Sequence, residues 1–255
     1  MPTDPKTVRS YDDNAATWAE NMRAGKSSAH RFLEKPAMRA MLPELASKDV
    51  LAIGAGSAEE YEFLAATGAR VVATDISAGL VAEARTRTPA GDFRVMDMEK
   101  LDFPRDSFDF VYSSLALHYL ESWKAVLSRV RVVLRPGGKF LFSVHHPVAW
   151  GAASSKDTVG RHSYLGYTKK RDDTVEIHGD YLTPRPISNI YMNTIEVTYW
   201  NRPISDMLRD IREAGFELLD MQEPKATSEA KKTDPAFWEI RQKIPLFVIF
   251  LVTRK

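Results

Sequence analysis

The sequence predicts an α/β fold built on a mostly parallel sheet, and three observations predict it. Between Asp49 and Val144 short apolar runs alternate with amphipathic stretches, the pattern of parallel strands joined by helices. The first run passes straight into Gly54-Ala55-Gly56, a strand-to-helix turn of the nucleotide-binding kind. The composition, 44% apolar and 27% charged over 255 residues, is that of a globular chain able to bury one large core.

Taken in order, the chain first offers two helices, 11–22 and 31–42, broken at Gly25-Lys26-Ser27-Ser28; together residues 1–45 read as an N-terminal helical cap. Strands follow at 49–53, 69–75, 92–96, 108–113 and 139–144. Ser77 is placed to cap a helix carrying Leu80, Val81 and Ala84 on one face, and Trp123, Val126, Leu127, Val130 and Leu134 trace another. Arg135-Pro136-Gly137-Gly138 stops that helix. From 147 to 202 the α/β rhythm lapses into aromatic, strand-like sequence, TVEIHGDYL and NTIEVTYW, which reads as an insertion within the domain 46–255. It leaves the sheet at the end of the fifth strand, so it is expected to cover the acceptor side of a site there. The rhythm resumes with a helix capped by Ser205 and ended by Gly215, then strands FELLDM and PLFVIFLVT.

Charge narrows the function. Thirty-five Lys and Arg against 34 Asp and Glu leave +1, so no global field draws in nucleic acid or an anionic membrane, and a small-molecule partner is expected. The basic run Lys169-Lys170-Arg171 is followed at once by Asp172-Asp173 and reads as a solvated face. No run approaches the roughly 18 apolar residues of a membrane span and the start lacks a signal-peptide core, so a cytoplasmic protein is expected. With no cysteine, chemistry rests on oxygen, nitrogen or a bound cofactor, and no metal is called for.

The glycine turn carries the functional signal. Gly54 and Gly56 let a ligand touch backbone, and Asp75 ends the next strand 21 residues after Gly54, where a carboxylate accepts hydrogen bonds from a ribose diol. Asp97 and Met98 end the third strand, where a carboxylate and a thioether can meet an adenine, although Asp97 can equally cap a short turn. Ser113, Ser114 and Leu115 end the fourth strand at the same sheet edge. A dinucleotide would need a glycine where Glu59 stands; Glu59 and Glu60 oppose a pyrophosphate but not S-adenosylmethionine, which has no phosphate and carries a sulfonium.

On these residues the chain resembles the class I S-adenosylmethionine-dependent methyltransferase family, in its small-molecule branch, over Val50 to His146. VLAIGAGS, ATDIS, VMDMEKLDF, FDFVYSSLALHYL and LRPGGKFLFSVHHP look like its successive motifs, and Tyr11, Asp12, Ala15 and Trp18 look like its N-terminal YDxxAxxW. The resemblance implies a Rossmann-like, seven-stranded, mostly parallel sheet with helices on both faces and a final antiparallel hairpin. It implies S-adenosyl-L-methionine as cofactor, held by Tyr11, Gly54, Ala55, Gly56, Asp75, Ile76, Asp97, Met98, Ser113 and Leu115, and methyl transfer to an oxygen, nitrogen or carbon of a small molecule. Ala52 stands where the family often has an acid, so Tyr11 and the region of Glu59 would order the methionine end. An RNA-modifying methyltransferase and a non-catalytic S-adenosylmethionine-binding regulatory protein are the alternatives.

Should the acceptor have to lose a proton, the candidate bases are His146 first and His118 second, both at strand ends facing the crevice. His145 and His146 are adjacent on a strand, so at most one of them faces a substrate. All three can equally be packing histidines. His162 and His178 fall in the insertion and are expected to face solvent. Its aromatic residues, among them Trp150, Tyr164, Tyr191 and Tyr199, could wall an apolar acceptor or form a small satellite core.

Overall fold

A computed structural model describes residues 3–148, 167–169, 175–177 and 179–255. His162, His178, Trp150, Tyr164 and the basic pair at 170–171 lie outside the described residues.

The sheet has seven strands, β1 (Asp49–Ile53), β2 (Arg70–Asp75), β3 (Asp92–Val95), β4 (Phe108–Ser113), β5 (Leu134–His145), β10 (Phe216–Gln222) and β11 (Phe247–Arg254), in the order β10-β11-β5-β4-β1-β2-β3. β1 to β5 pair in parallel, and β11 runs antiparallel between β5 and β10. The alternation of side chains along β1 shows why its sequence is apolar without a break: Leu51 and Ile53 enter one core, Val50 and Ala52 the other. Helix α6 (Lys124–Val133) covers the first face with Val126, Leu127 and Val130, and α5 (Ala78–Arg87), with Leu80 turned to the cavity described below, covers the second with Val81 and Ala84. Each such Val or Leu contributes about 1.5–3 kcal/mol on burial. Ser77 caps α5 as the sequence predicts, its Oγ accepting from Leu80 N–H at 3.1 Å.

Several boundaries differ from the sequence expectation. The first predicted helix is two, α1 (Pro5–Asp13) and α2 (Ala15–Arg23), hinged at Asn14. The second begins as a π-helical turn, His30–Glu34, before α3 (Lys35–Ala40). The Arg135–Gly138 stop lies inside β5 as an irregularity: Phe108 pairs with Leu134 and Phe110 already with Lys139. Helix α7 (Ile204–Glu213) is preceded by Pro203, and Ser205 sits inside its first turn instead of capping it.

The insertion contains two antiparallel ribbons, β6 (Tyr167–Lys169) with β7 (Val175–Ile177) and β8 (Arg185–Tyr191) with β9 (Ile195–Asn201). β8 is a strand that the sequence reading missed, and of TVEIHGDYL only 175–177 is described as strand. α1 seals the outer edge of β9: Glu196 N–H donates to Ser10 Oγ at 2.8 Å and Thr198 N–H to Thr7 Oγ1 at 2.9 Å. Cap and insertion are therefore one wall, packed through Ile195, Val197 and Tyr199 against Tyr11 and Trp18. Where the insertion rejoins the domain, the buried Arg202 pairs with Asp210 at 2.7 Å. Among the described residues no helix is long and apolar enough to cross a membrane.

Candidate functional site

A cavity of about 720 Å³ opens at the carboxyl ends of β1 to β5, under the cap and the β8–β9 ribbon. That is the edge at which open α/β sheets take ligands, and the volume lies in the upper part of the range of about 300–1,000 Å³ of small-molecule sites.

Backbone builds the floor. Gly54 (φ +63°) and Gly56 (φ +56°) both adopt left-handed conformations. A Cβ on Gly54 would stand 2.4 Å from the Ala116 Cβ. Gly56 N–H donates to Asp75 Oδ2 and Ser77 N–H to Oδ1, both at 2.9 Å, so the acid pins the glycine turn to its own loop. An ionised carboxylate offers about four lone-pair directions. Two are used here, which leaves capacity for a vicinal diol. Burial raises the Asp75 carboxyl above its ordinary value, against the pull of those two N–H groups. Ile76, Met96 and Met98 add an apolar rim suited to a flat base.

At the head of the following helix, α4 (Glu59–Ala65), the Glu59 carboxylate takes a hydrogen bond from Ser57 Oγ at 3.0 Å and lies 3.4 Å from Arg87 Nη1. The first turn of this helix thus carries an internal carboxylate, which would oppose a pyrophosphate placed at the same N-terminus.

Side chains build the walls. Asp12 of α1 clasps the head of α5, with Oδ1 accepting from Ser77 Oγ at 2.6 Å and from Gly79 N–H at 2.9 Å. Tyr11, beside it, hydrogen-bonds through its hydroxyl to that of Tyr119 at 2.6 Å and meets the Trp18 ring edge-on at 5.3 Å. The opposite wall stacks His118 on His145, centroids 3.7 Å apart and planes 16° apart, with Tyr199 edge-on to His145 at 4.6 Å. Burial pushes His118 down to about 3 and His145 well below its ordinary value; His30, also in the wall, is pushed down to about 3. All three are neutral imidazoles at neutral pH.

The site residues expected from the sequence divide. Tyr11, Gly54, Gly56, Asp75, Ile76, Met98, Leu115 and His118 line the cavity. Ala55, Asp97 and Ser113 are not among its described lining residues. Ala55 N–H is spent on Thr74 O, Ser113 Oγ donates to Ile53 O, and Asp97 caps a short 3₁₀ turn through Glu99 N–H. His146 is a correction as well. The pleat turns it away, its Nε2 lies 2.6 Å from Glu223 Oε1 at ion-pair distance, its Nδ1 accepts from Val148 N–H, and His145 holds the cavity face instead. His30 and Tyr119 were missed by sequence reasoning; no local spacing marks either, because each reaches the cavity only through tertiary packing.

One buried acid joins cap and sheet. Glu34, fully buried on the π-helical turn, accepts from Ser143 Oγ at 2.6 Å and Ser114 Oγ at 2.9 Å, while Leu115 N–H donates to Ser143 Oγ at 3.0 Å. Burial pushes its carboxyl up to about 7, against those hydroxyl contacts.

Fold and cavity together are those of an open α/β sheet with a small-molecule-sized site at the carboxyl edge of its parallel strands. Residues 51–142 match a family described as a methyltransferase domain. The chain is similar to an S-adenosylmethionine-dependent methyltransferase from Mesorhizobium loti, with 29% identity, a TM-score of 0.71 and coverage of 87% of this chain and 97% of that one. It is 36% identical to the malonyl-[acyl-carrier protein] O-methyltransferase of Yersinia pestis over 37% of this chain and 35% of that protein. It is 38% identical to the demethylmenaquinone methyltransferase of Clavibacter sepedonicus over 40% of this chain and 43% of that protein. The chain spans about half the length or less of these two curated relatives. The family match covers the core of the sheet, residues 51–142, and the likeness to the solved S-adenosylmethionine-dependent methyltransferase extends over most of the chain.

Proposed function

We propose that this protein is a cytoplasmic enzyme that transfers a methyl group from S-adenosylmethionine to a small-molecule acceptor. The observation that carries the reading is the single cavity in which a glycine turn tied to Asp75 faces an aromatic wall, beside a helix head already filled by Glu59. In this reading Asp75 takes the ribose hydroxyls, Gly54 and Gly56 admit the cofactor's backbone-hugging portion, and Met98 and Ile76 hold the adenine. Tyr11 and Trp18 close over the methionine end, in place of the acid that Ala52 lacks. Bound S-adenosylmethionine supplies a methyl carbon already activated by positive sulfur, so the protein's task is to hold the acceptor at near-attack distance and exclude water.

The insertion, 147–202, serves as the acceptor-side cover, through Ile190, Tyr191 and Met192 of the β8–β9 ribbon, and residues 1–45 serve as the cap. The names of the two curated relatives, one a malonyl-[acyl-carrier protein] O-methyltransferase and one a demethylmenaquinone methyltransferase, support a small organic group as the acceptor, free or carried. Titration calorimetry of the purified protein with S-adenosylhomocysteine and with NAD tests the reading. Binding of the former and none of the latter is expected; binding of NAD alone would overturn it.

A further inference from the structure

We propose, resting on the methyltransferase reading, that Glu34 is a positioning residue for cofactor binding: through the hydroxyls of Ser114 and Ser143 its carboxylate fixes the backbone of Leu115 and Ala116 against the glycine turn. Glu34 itself is not among the described lining residues of the cavity, so it acts through the wall.

The path is short and continuous. Ser143 Oγ, on β5, donates to Glu34 Oε1 at 2.6 Å and accepts from Leu115 N–H at 3.0 Å, while Ser114 Oγ donates to the same carboxylate oxygen at 2.9 Å. Leu115 N–H also reaches Ser143 O at 3.2 Å. These bonds hold Leu115 at φ +50°, a left-handed conformation that a leucine keeps only when its surroundings impose it. The next residue meets the floor. A Cβ added to Gly54 would stand 2.4 Å from Ala116 Cβ, so no slack separates this backbone from the turn. Ser114, Leu115 and Ala116 all line the cavity. The acid itself comes from the cap, on a π-helical turn, a rare geometry that recurs at functional sites.

Holding the cap in place does not by itself call for an acid. Glu34 is fully buried, its Oε2 has no hydrogen-bond partner among the described residues, and burial pushes the carboxyl up to about 7, so ionising it costs free energy. What the charge adds is strength in the two hydroxyl bonds, since a charged acceptor draws shorter and stronger ones. The charged and titratable groups around it are Lys35 of α3 and Glu60 of α4, paired at 3.4 Å, His30 at the start of the same turn, pushed down to about 3, and Tyr112 of β4, kept neutral by burial. The wall is firmest when Glu34 is ionised. A ligand lying against it therefore binds that form more tightly and, by linkage, drives the proton off.

Titration calorimetry with S-adenosylhomocysteine, in buffers of different ionisation heat, tests this. Wild-type affinity should rise roughly threefold from pH 6 to pH 8, and binding at pH 7 should release about 0.3 proton more than in Glu34→Gln. Glu34→Gln keeps an amide oxygen for the two hydroxyls but no charge, so it should bind roughly fivefold more weakly than wild type at pH 8 and come within about twofold of it at pH 6. Glu34→Leu, which offers no acceptor, should bind roughly tenfold more weakly at both. Ser143→Ala breaks the link to Leu115 while leaving the acid, and its proton release should fall to that of Glu34→Gln. A pH profile and proton count that Glu34→Gln leaves unchanged overturn the proposal, as does a Glu34→Leu protein that binds as wild type. Should neither Glu34 variant fold, a wild type that binds equally at pH 6 and pH 8 and releases no proton at pH 7 overturns it. Failure of the wild type to bind S-adenosylhomocysteine at all is a separate result and overturns the methyltransferase reading on which the proposal rests.

Discussion

The floor and the walls of the cavity are made by different means. The floor is main chain: two left-handed glycines and an aspartate whose carboxylate ties down two backbone N–H groups. The walls are side chains borne chiefly by four separate stretches, the cap, the strand ends of β4 and β5, the insertion ribbon, and the segment from Arg241 to Phe247. A floor of backbone tolerates few substitutions, because each glycine answers a steric demand. A wall of side chains can be exchanged piece by piece without unmaking the turn, which is how one sheet serves many acceptors.

The comparison can be broken at four points. The largest effect is expected at Gly54→Val, since even a Cβ meets Ala116 at 2.4 Å and φ is +63°. Calorimetry should find no measurable S-adenosylhomocysteine binding, and wild-type affinity would show that the ligand does not lie against this turn. Asp75→Ala removes the pin on the turn and, in the proposed reading, the diol acceptor as well. A loss of about 1.5–3 kcal/mol of cofactor affinity is expected, the size of removing a partner from buried polar groups, and unchanged affinity would place the ribose elsewhere. Asp12→Ala opens the clasp on Ser77 and Gly79. Thermal denaturation should register roughly 1.5–3 kcal/mol of lost stability, as for hydrogen bonds to a charged group, while no change would show the cap to be held by apolar packing alone.

The smallest effect is in the pH dependence of stability. His30 and His118 titrate near 6.5 when unfolded and near 3 when folded, so between those values the unfolded chain holds more protons and stability falls as acid is added. Glu34 runs the other way. Its folded value of about 7 lies above the ordinary 4.5, so stability falls as pH rises through that interval. The two slopes oppose each other between 4.5 and 6.5. Glu34→Gln removes one of them, and denaturant unfolding should show stability rising more steeply with pH in that window than in the wild type. An unchanged slope would mean that Glu34 is ionised in the fold throughout.

The same division decided what the sequence could reveal. Glycine spacing, the acid ending β2 and the apolar runs are local signals, and they placed the sheet and most of the floor. Asp97 shows the limit of spacing: a carboxylate at a strand end can serve a ligand or its own turn, and here it caps the turn. His146 shows the limit of parity. Alternation says that one of two neighbours faces the site, but only the pairing of β5 with β11, where His145 lies opposite Phe247, selects which. His30 and Tyr119 had no local mark. β8 was missed because its pattern, RPISNIY, opens on a proline and holds two polar residues at its centre; its inward face is fixed by the cap packed against it.

The Asp12 clasp joins helix α1 to the loop that follows Asp75, so in the proposed reading the docking of α1 and the binding of ribose are coupled. By reciprocity, whatever factor a docked cap adds to cofactor affinity, bound cofactor returns to the docking of the cap. Amide exchange in α1 should slow on adding S-adenosylhomocysteine, by the same factor by which Asp12→Ala weakens that ligand through undocking. The first two dozen residues would then act as the latch whose release sets the residence time of the spent cofactor.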